Sequence, residues 1–459
     1  MTGKTPVWRR SFVAVVGALG AVVLLHGATM HAKAPDAPTF TKDVAPIFQE
    51  KCETCHRSDG MAPMSLTTFE ETRPWVKSIA NRIGARQMPP WHIDKTVGIQ
   101  KFKNDRSLSD DQIDTILKWA NNGAPKGNPK DMPAPVKWPD EQSWQEATKL
   151  GPPDLVISST PWTVKAEGQD AWWRPSIPTG LTEPRWVRAI EIRPTTVEMR
   201  KVTHHALTRL QQKEDETMDH DLFTNDPDVA GDGLFMEWAV GKNGDEMRPD
   251  SGRLMLPGSQ ITWDIHYHSV GEEVKDSTVE LGIWFYPKGQ EPKHREVLAL
   301  FNAFSGSIPG ARGLDIPPNS VTTTESFVPL KENARIENFQ VHEHLRGKGM
   351  SMEALYPDGR RQMLSQVTDF NFNWHNMYIY ADDSAPLLPK GTILHLVAWY
   401  DNTKANKANP DPDQWVGYGD RTVDEMGHAW LNITYYTDEE FKAELAKRAA
   451  LVASETQQQ

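Results

Sequence analysis

Ile261-Thr262-Trp263-Asp264-Ile265-His266-Tyr267-His268 reads as a β-strand, with an apolar side chain at every second position. A period of two sends His266 and His268 to one face. Outward from it, Val187–Ile192, Val279–Phe285 and Thr392–Trp399 share the same short apolar character, and Asn243-Gly244 and Pro357-Asp358-Gly359 supply turns between such runs. No helix-length periodicity occurs between residue 150 and the Thr437–Ala453 stretch. The 17 Trp and 34 Pro suit a β-rich body better than a helical bundle. The predicted body is a pair of all-β, jelly-roll-like sandwiches over residues 151–305 and 306–436, with a C-terminal helix or tail over 437–459.

At 459 residues the chain is too long for one ordinary core, so a multidomain protein is expected. Hydrophobic residues at 38% and charged residues at 24% exclude a disordered, collagen-like or polytopic membrane chain. Fifty Lys and Arg against 62 Asp and Glu leave a net charge of -12, which repels phosphate backbones, so no nucleic acid partner is expected.

The histidines of the β region are grouped. His204-His205 stand in Val202-Thr203-His204-His205-Ala206, His266 and His268 in the strand above, and His342-Glu343-His344 in a third cluster. An H-x-H pair on a strand offers both imidazoles to one metal ion, whereas an adjacent pair does so only if the strand ends or bulges there. Either His266 or His268 could join the His204-His205 pair. Imidazole suits copper, zinc and iron, and a methionine thioether shifts the preference towards Cu(I). Met426, in Asp424-Glu425-Met426-Gly427-His428, is the candidate thioether; Met350 and Met352 are rivals. His375, His395 and His428 read as core residues or supports for the ligands.

The N-terminal part carries a different chemistry. Lys4, Arg9 and Arg10, an apolar run from Phe12 to Leu25, and Ala32-Lys33-Ala34 make a secretory signal over residues 1–34. The run is shorter than the ~20 residues a bilayer span needs, so no stable membrane span is expected after cleavage, and the protein is expected to be periplasmic or secreted. The only two cysteines stand in Cys52-Glu53-Thr54-Cys55-His56, the C-x-x-C-H signature of covalent haem c attachment, with His56 as the axial ligand. A zinc or thiol-redox C-x-x-C is the rival reading. A helix from Phe40 to Phe48 leads into the motif. A second begins at Ser109, whose capping box with Gln112 opens a face of Ile113, Ile116, Leu117 and Ala120 before Gly123 and Pro125 end it. These define a small all-α cytochrome c domain over residues 35–124. The opposite axial ligand is Met88, in the stiff Met88-Pro89-Pro90 loop, with Met61 and Met64 as rivals. Prolines 125, 129, 133, 135 and 139 mark residues 125–150 as a semi-rigid linker.

The order His-His, His before Tyr, H-x-H and Asp-Glu-Met resembles the type II copper-dependent monooxygenases, the peptidylglycine α-hydroxylating and dopamine β enzymes, here behind a cytochrome domain as in bacterial fusions of the same type. The resemblance covers roughly residues 155–436 and is carried by the ligand motifs. It implies two copper ions. An electron-transfer copper falls to His204, His205 and His266. An oxygen-binding copper, with the catalytic role, falls to His342, His344 and Met426. It also implies two sandwiches facing each other across a solvent-filled cleft, and hydroxylation of a C–H bond of an unidentified organic substrate with O2. Electrons would come from an external donor, a small reductant or redox protein, through the haem. The chain departs from the family where an Arg precedes the H-x-H pair by two residues, since Gln340 stands here; Trp430 and His428 replace a Tyr and an Asn. A glycine-extended peptide is therefore not the expected substrate. Two other readings stand beside the enzyme: a haem and copper electron-transfer or copper-binding protein without oxygenase activity, and a surface- or carbohydrate-binding scaffold.

Overall fold

The computed structural model describes residues 35, 37–58, 60, 62–140, 143–213, 233–239, 242, 244–304 and 313–458. The secretory signal, Met61 and the turn residue Asn243 lie outside them.

The body is β-sheet. Each run read as a strand is one: Arg185–Pro194, Gln260–Tyr267, Val279–Phe285 and Ile393–Asp401. A sheet of eleven strands runs through the whole body, its main path being 155–158, 279–285, 185–194, 251–255, 294–302, 427–436, 333–336 and 387–388. A five-stranded sheet centred on Gln260–Tyr267 and Thr203–Gln211 covers its first half, and Trp263, Ile265, Ile190 and Leu281 fill the space between. A four-stranded sheet, ordered 321–329, 393–401, 347–355 and 361–367, covers the second half over Met350, Leu396, Val341 and Leu431. Two sheet-on-sheet cores result. Gly359, with φ of 85°, makes the tight Pro357-Asp358-Gly359 turn between the last two of these strands.

The expected boundary near residue 305 is bridged by this long sheet. Strand His294–Asn302, assigned by sequence to the first sandwich, pairs along its length with Gly427–Tyr436 of the second. Its contact with the first is a short parallel pairing of His294 and Arg295 with Ser251 and Gly252. Buried charges hold this seam: Arg253 reaches Asp245 and Glu296, each at 3.1 Å, and Lys242 reaches Glu237 at 3.1 Å. Buried pairs of this kind fix a register more than they add stability.

Helices surround the Cys52–His56 segment. Phe40–Lys51 is helical throughout, and Asp110–Asn121 starts with the expected Ser109–Gln112 capping box. Trp119, not read from the sequence as part of its inner face, is fully buried and donates from Nε1 to the Pro125 carbonyl at 3.1 Å. The closing helix, Asp438–Gln458, begins at Thr437, which bonds Glu440 reciprocally. Among the described residues no helix is long and apolar enough to cross a membrane.

Residues 125–139, expected as part of a semi-rigid linker, are strapped to the helices. The Pro125 and Lys126 carbonyls accept from the Phe40 and Thr41 N–H groups, Ala134 accepts from Gln49, and Pro139 accepts from Arg57. Residues 90–104, expected inside the helical domain, are a wedge in the second sandwich. Trp91 and Ile93 belong to its core, and Phe102 packs against it. Ile93 and Phe102 form β-bridges to Val367 and Tyr380, and Asn104 donates to the Met377 carbonyl at 2.8 Å. Burying these aromatic rings outweighs any local preference of the segment.

Candidate metal and haem centres

His204 and His205 stand where a short helix, Val197–Val202, passes into the strand Thr203–Gln211. Thr196 caps that helix by accepting from the Met199 N–H. The strand pairs His205 with His266 and Thr203 with Tyr267, so His204 is the extra residue of a β-bulge. The bulge swings both imidazoles of an adjacent pair towards one point. Nδ1 of His205 lies 3.1 Å from Nδ1 of His204 and 3.4 Å from Nδ1 of His266. Two nitrogens each about 2.0 Å from one ion stand about 3.3 Å apart in a tetrahedral arrangement, so this spacing fits one metal ion. Among the described residues these three form the one group of His, Cys, Asp or Glu donors tight enough for a metal.

The two candidates on the 260–267 strand and its end separate clearly. His266 is buried within the group, while the side chain of His268 is 61% exposed. Asp170, which sequence spacing did not single out, binds both: Oδ2 meets Nε2 of His266 at 2.9 Å, and Oδ1 meets Nδ1 of His268 at 2.8 Å. The hydrogen bond to His266 comes first among the causes that hold its carboxyl well below the usual range. It also accepts from Thr422 at 2.9 Å, a residue of the second sandwich. A carboxylate on the far nitrogen of an imidazole fixes which nitrogen faces the metal. Trp172 stacks on the His266 ring at 4.6 Å and Phe372 on His204 at 4.7 Å. Asp170→Ala is therefore expected to weaken metal binding at this centre by about 10–100-fold without unfolding the protein. Copper competition titration of the variant checks this, and unchanged affinity would leave Asp170 without the assigned role.

His342 lies on the strand Asn338–Glu343, opposite His428. Trp430 stacks on its ring at 4.8 Å. His344 follows, 5.3 Å from His342 between ring centroids, with Nδ1 held at 3.2 Å from the Asp424 carbonyl. Glu425, fully buried, accepts from the backbone N–H groups of His344, Arg346 and Met426 and so ties the 342–344 and 424–426 segments together. Met426 is half-buried; the ladder ends at the Glu343–Gly427 pair, one residue short of His344 and Met426. Gln340 is buried and donates to Glu237 at 2.7 Å. An anionic carboxylate thus sits beside the position where the resembling family has a cation.

The two histidine groups touch. His205 and His342 ring centroids are 5.9 Å apart, and His375, 6.2 Å from His204, lies 4.7 Å from His342. The solvent-filled cleft implied by the resemblance is absent between these rings, because the shared sheet and the Gln340–Glu237 and Thr422–Asp170 bonds draw the halves together. Burial first, then neighbouring imidazoles, hold His204 down to about 4 and His375 to about 3.

Cys52, Cys55, His56, Met64 and Met88 line a cavity of about 1170 Å³ that extends to His204, Trp238 and His375. Nδ1 of His56 lies 3.2 Å from the Met64 carbonyl, an interaction that orients the ring and leaves Nε2 as its free nitrogen. Desolvation, followed by the neighbouring Glu53, pushes the Cys52 thiol up to about 12, the reverse of the depressed thiol of a redox C-x-x-C. Met64 packs into the helical core on the side of His56, whereas Met88 comes from the far loop. If haem is attached at Cys52 and Cys55, Met88→Ala is expected to abolish the weak near-infrared band of ferric haem–thioether ligation. A band that survives would move the assignment to Met61 or Met64.

No protein-family model matches the sequence, and no curated protein matches it. Among solved structures, the major capsid protein P2 from bacteriophage PM2 aligns with 12% identity and a TM-score of 0.27, covering 62% of this chain and 97% of that one. The N-glycanase F (PNGase F) structure aligns with 10% identity and a TM-score of 0.27, covering 61% and 96%.

Proposed function

We propose that this chain is an exported copper-dependent monooxygenase, with a haem c unit over residues 35–124 serving two copper-bearing, jelly-roll-like sandwiches. The observation that carries the reading is the bulge at His204, which brings His204, His205 and His266 onto one point with Asp170 behind them. The donor chemistry fits the metal: imidazoles suit copper, and a thioether from Met426, one residue beyond the pairing that ends at Glu343 and Gly427, would favour Cu(I). Bound copper would supply the one-electron steps and the O2 activation that hydroxylation of a C–H bond requires. The Cys52–His56 motif and its cavity fit covalent haem, with Nε2 of His56 free for iron.

The chain's own residues set the rest. His204, His205 and His266 hold one copper as a rigid set of nitrogens; His342 and His344 hold the other. Glu237 and Gln340 disfavour a substrate carboxylate at the place where the resembling family binds one. The shared cavity gives electrons from an external donor a short protein-lined route between the Cys52–His56 end and His204. A second reading, electron transfer or copper binding without oxygenase activity, draws support from the ring contact of His205 with His342, which leaves no substrate-wide gap there.

Metal analysis of the purified chain is expected to give two coppers and one haem. The reduced protein, given 18O2 and a mixture of small organic metabolites, is expected to put a single 18O into one product. Full metal loading without label would select the second reading, and haem without copper would reject both.

A further inference from the structure

The cavity that begins at Cys52–His56 holds about 1170 Å³, more than the roughly 300–1,000 Å³ of an ordinary ligand site, and a group bonded to both cysteines would be held at that end. Its other end lies between the two sandwiches. Ile192 and Trp238 come from the first, Phe372 and Trp374 from the second, and His204 joins them through its ring stack on Phe372 at 4.7 Å.

Two side chains at this end point to an occupant. Trp238 is 5% exposed, yet its Nε1–H has no acceptor among the described residues. The Nε1 atoms of Trp263 and Trp430 are also unpartnered but wholly enclosed, which that of Trp238 is not, so it can still meet an acceptor in the cavity. A donor left unpaired in so buried a side chain is costly. Trp374, half-buried, stacks on no other ring among the described residues and lines the same space. An indole face so placed packs well against a flat ring.

The charged side chains here are already engaged. Arg193 meets Glu280 at 3.0 Å, and Lys242 meets Glu237 at 3.1 Å and Asp245 at 3.3 Å. Glu191 accepts from the backbone N–H groups of Gln145 and Glu146, each at 3.0 Å, and Arg200 also has a protein partner. An ionic ligand would have to break these pairs or lie buried without one of its own.

We propose that this end of the cavity binds a small, uncharged, planar aromatic molecule that lies against Trp374 and accepts a hydrogen bond from Nε1 of Trp238. The inference stands on the cavity and needs no metal; under the oxygenase reading above, the occupant is the organic substrate.

The test titrates the full chain, as purified and after copper removal, with coumarin, a neutral flat ring bearing a carbonyl, and with benzoate, a charged one. One equivalent of coumarin is expected to bind in both preparations, and benzoate at least ten-fold more weakly. Trp238→Phe, which keeps a ring and removes the donor, is expected to weaken coumarin about 3–10-fold, and Trp374→Ala by a similar factor, while Trp75→Ala on the helical side of the cavity leaves it unchanged. Circular dichroism checks folding. Light-driven crosslinking of benzophenone, competed by coumarin, maps the site without any substitution, and crosslinks within residues 233–239 and 371–375 are expected. Absence of coumarin binding, native affinity in both folded variants, or crosslinks confined to the Cys52–Trp75 side would overturn the proposal; benzoate bound as tightly as coumarin would overturn the uncharged ligand. If the variants fail to fold, the crosslink positions decide. Coumarin held in this way by a chain purified without copper sustains the proposal while rejecting the oxygenase reading, so the two fail separately.

Discussion

Stripped of metal and moved from pH 7 to pH 5, the protein is expected to unfold at far lower urea, or with none. Burial is the leading cause that holds six neighbouring imidazoles below their ordinary value of 6.5. His204 and His344 fall to about 4, His375 and His428 to about 3, and His205 and His342 lie well below it. The unfolded chain takes up protons at these sites as pH falls through 6.5, while the folded chain does so only at lower pH, near 4 for His204 and His344 and near 3 for His375 and His428. Stability is therefore full above 6.5 and is lost as pH falls from there towards 4. At pH 5 each of His204, His344, His375 and His428 costs on the order of 1–2 kcal/mol, and the four together approach the lower end of the ~5–15 kcal/mol of a typical domain. A metal ion held by His204 and His205 would need their nitrogens unprotonated, so on the copper reading proposed above the loaded protein should resist part of the same acid step. Urea midpoints of metal-free and copper-loaded protein at pH 7, 6 and 5 measure this. Equal midpoints for the metal-free protein at pH 7 and 5 would show that the imidazoles do not stay neutral in the fold.

Trp91→Ala is expected to destabilise the protein by about 3–5 kcal/mol and to loosen the Met88 loop in the same stroke. The ring is 7% exposed inside the second sandwich, with edge contacts to Tyr378 at 4.7 Å and Phe102 at 5.8 Å. Truncation leaves a void too rigidly walled to close, and the backbone three residues earlier carries Met88. Denaturation should shift and, with haem attached as proposed, its thioether signature should weaken in the protein that remains folded. Trp75, 41% exposed, is the control, since its removal should cost no more than about 0.5 kcal/mol. Loss of stability with an undisturbed haem spectrum would separate the wedge from the axial ligand.

Local patterns in the chain forecast local structure well. The period-two runs became strands, Ser109 with Gln112 capped its helix, and the adjacent pair His204-His205 demanded the bulge that occurs at His204. What the sequence hid depends on contacts between distant residues. Asp170 meets His266 across 96 positions, and His375 meets His342 across 33, neither with a motif to announce it. The wedge at residues 90–104 reads as an ordinary loop because its partners are strands far along the chain. Pro-rich residues 125–139 form only one short helical turn, Pro129–Asp131, and no strand, yet their carbonyls find donors on the helices, which no composition rule foretells.

The wedge also sets a schedule for assembly. Pro90 and His92 find Asn376 and Tyr378 only after another 286 residues of chain exist. Cys52, Cys55 and His56 are therefore made long before Phe372, Trp374 and His375, which form the far wall of their cavity. During that interval one side of the cavity stands open, and a planar group the size of a porphyrin has its widest approach to the two thiols. Once the late strands arrive, the same group must enter past a finished wall. Haem supplied during synthesis should accordingly form thioethers far more completely than haem offered, under the same reducing conditions, to the completed fold. On the haem reading proposed above, the order in which the chain is written would thus serve as a clock for its own modification.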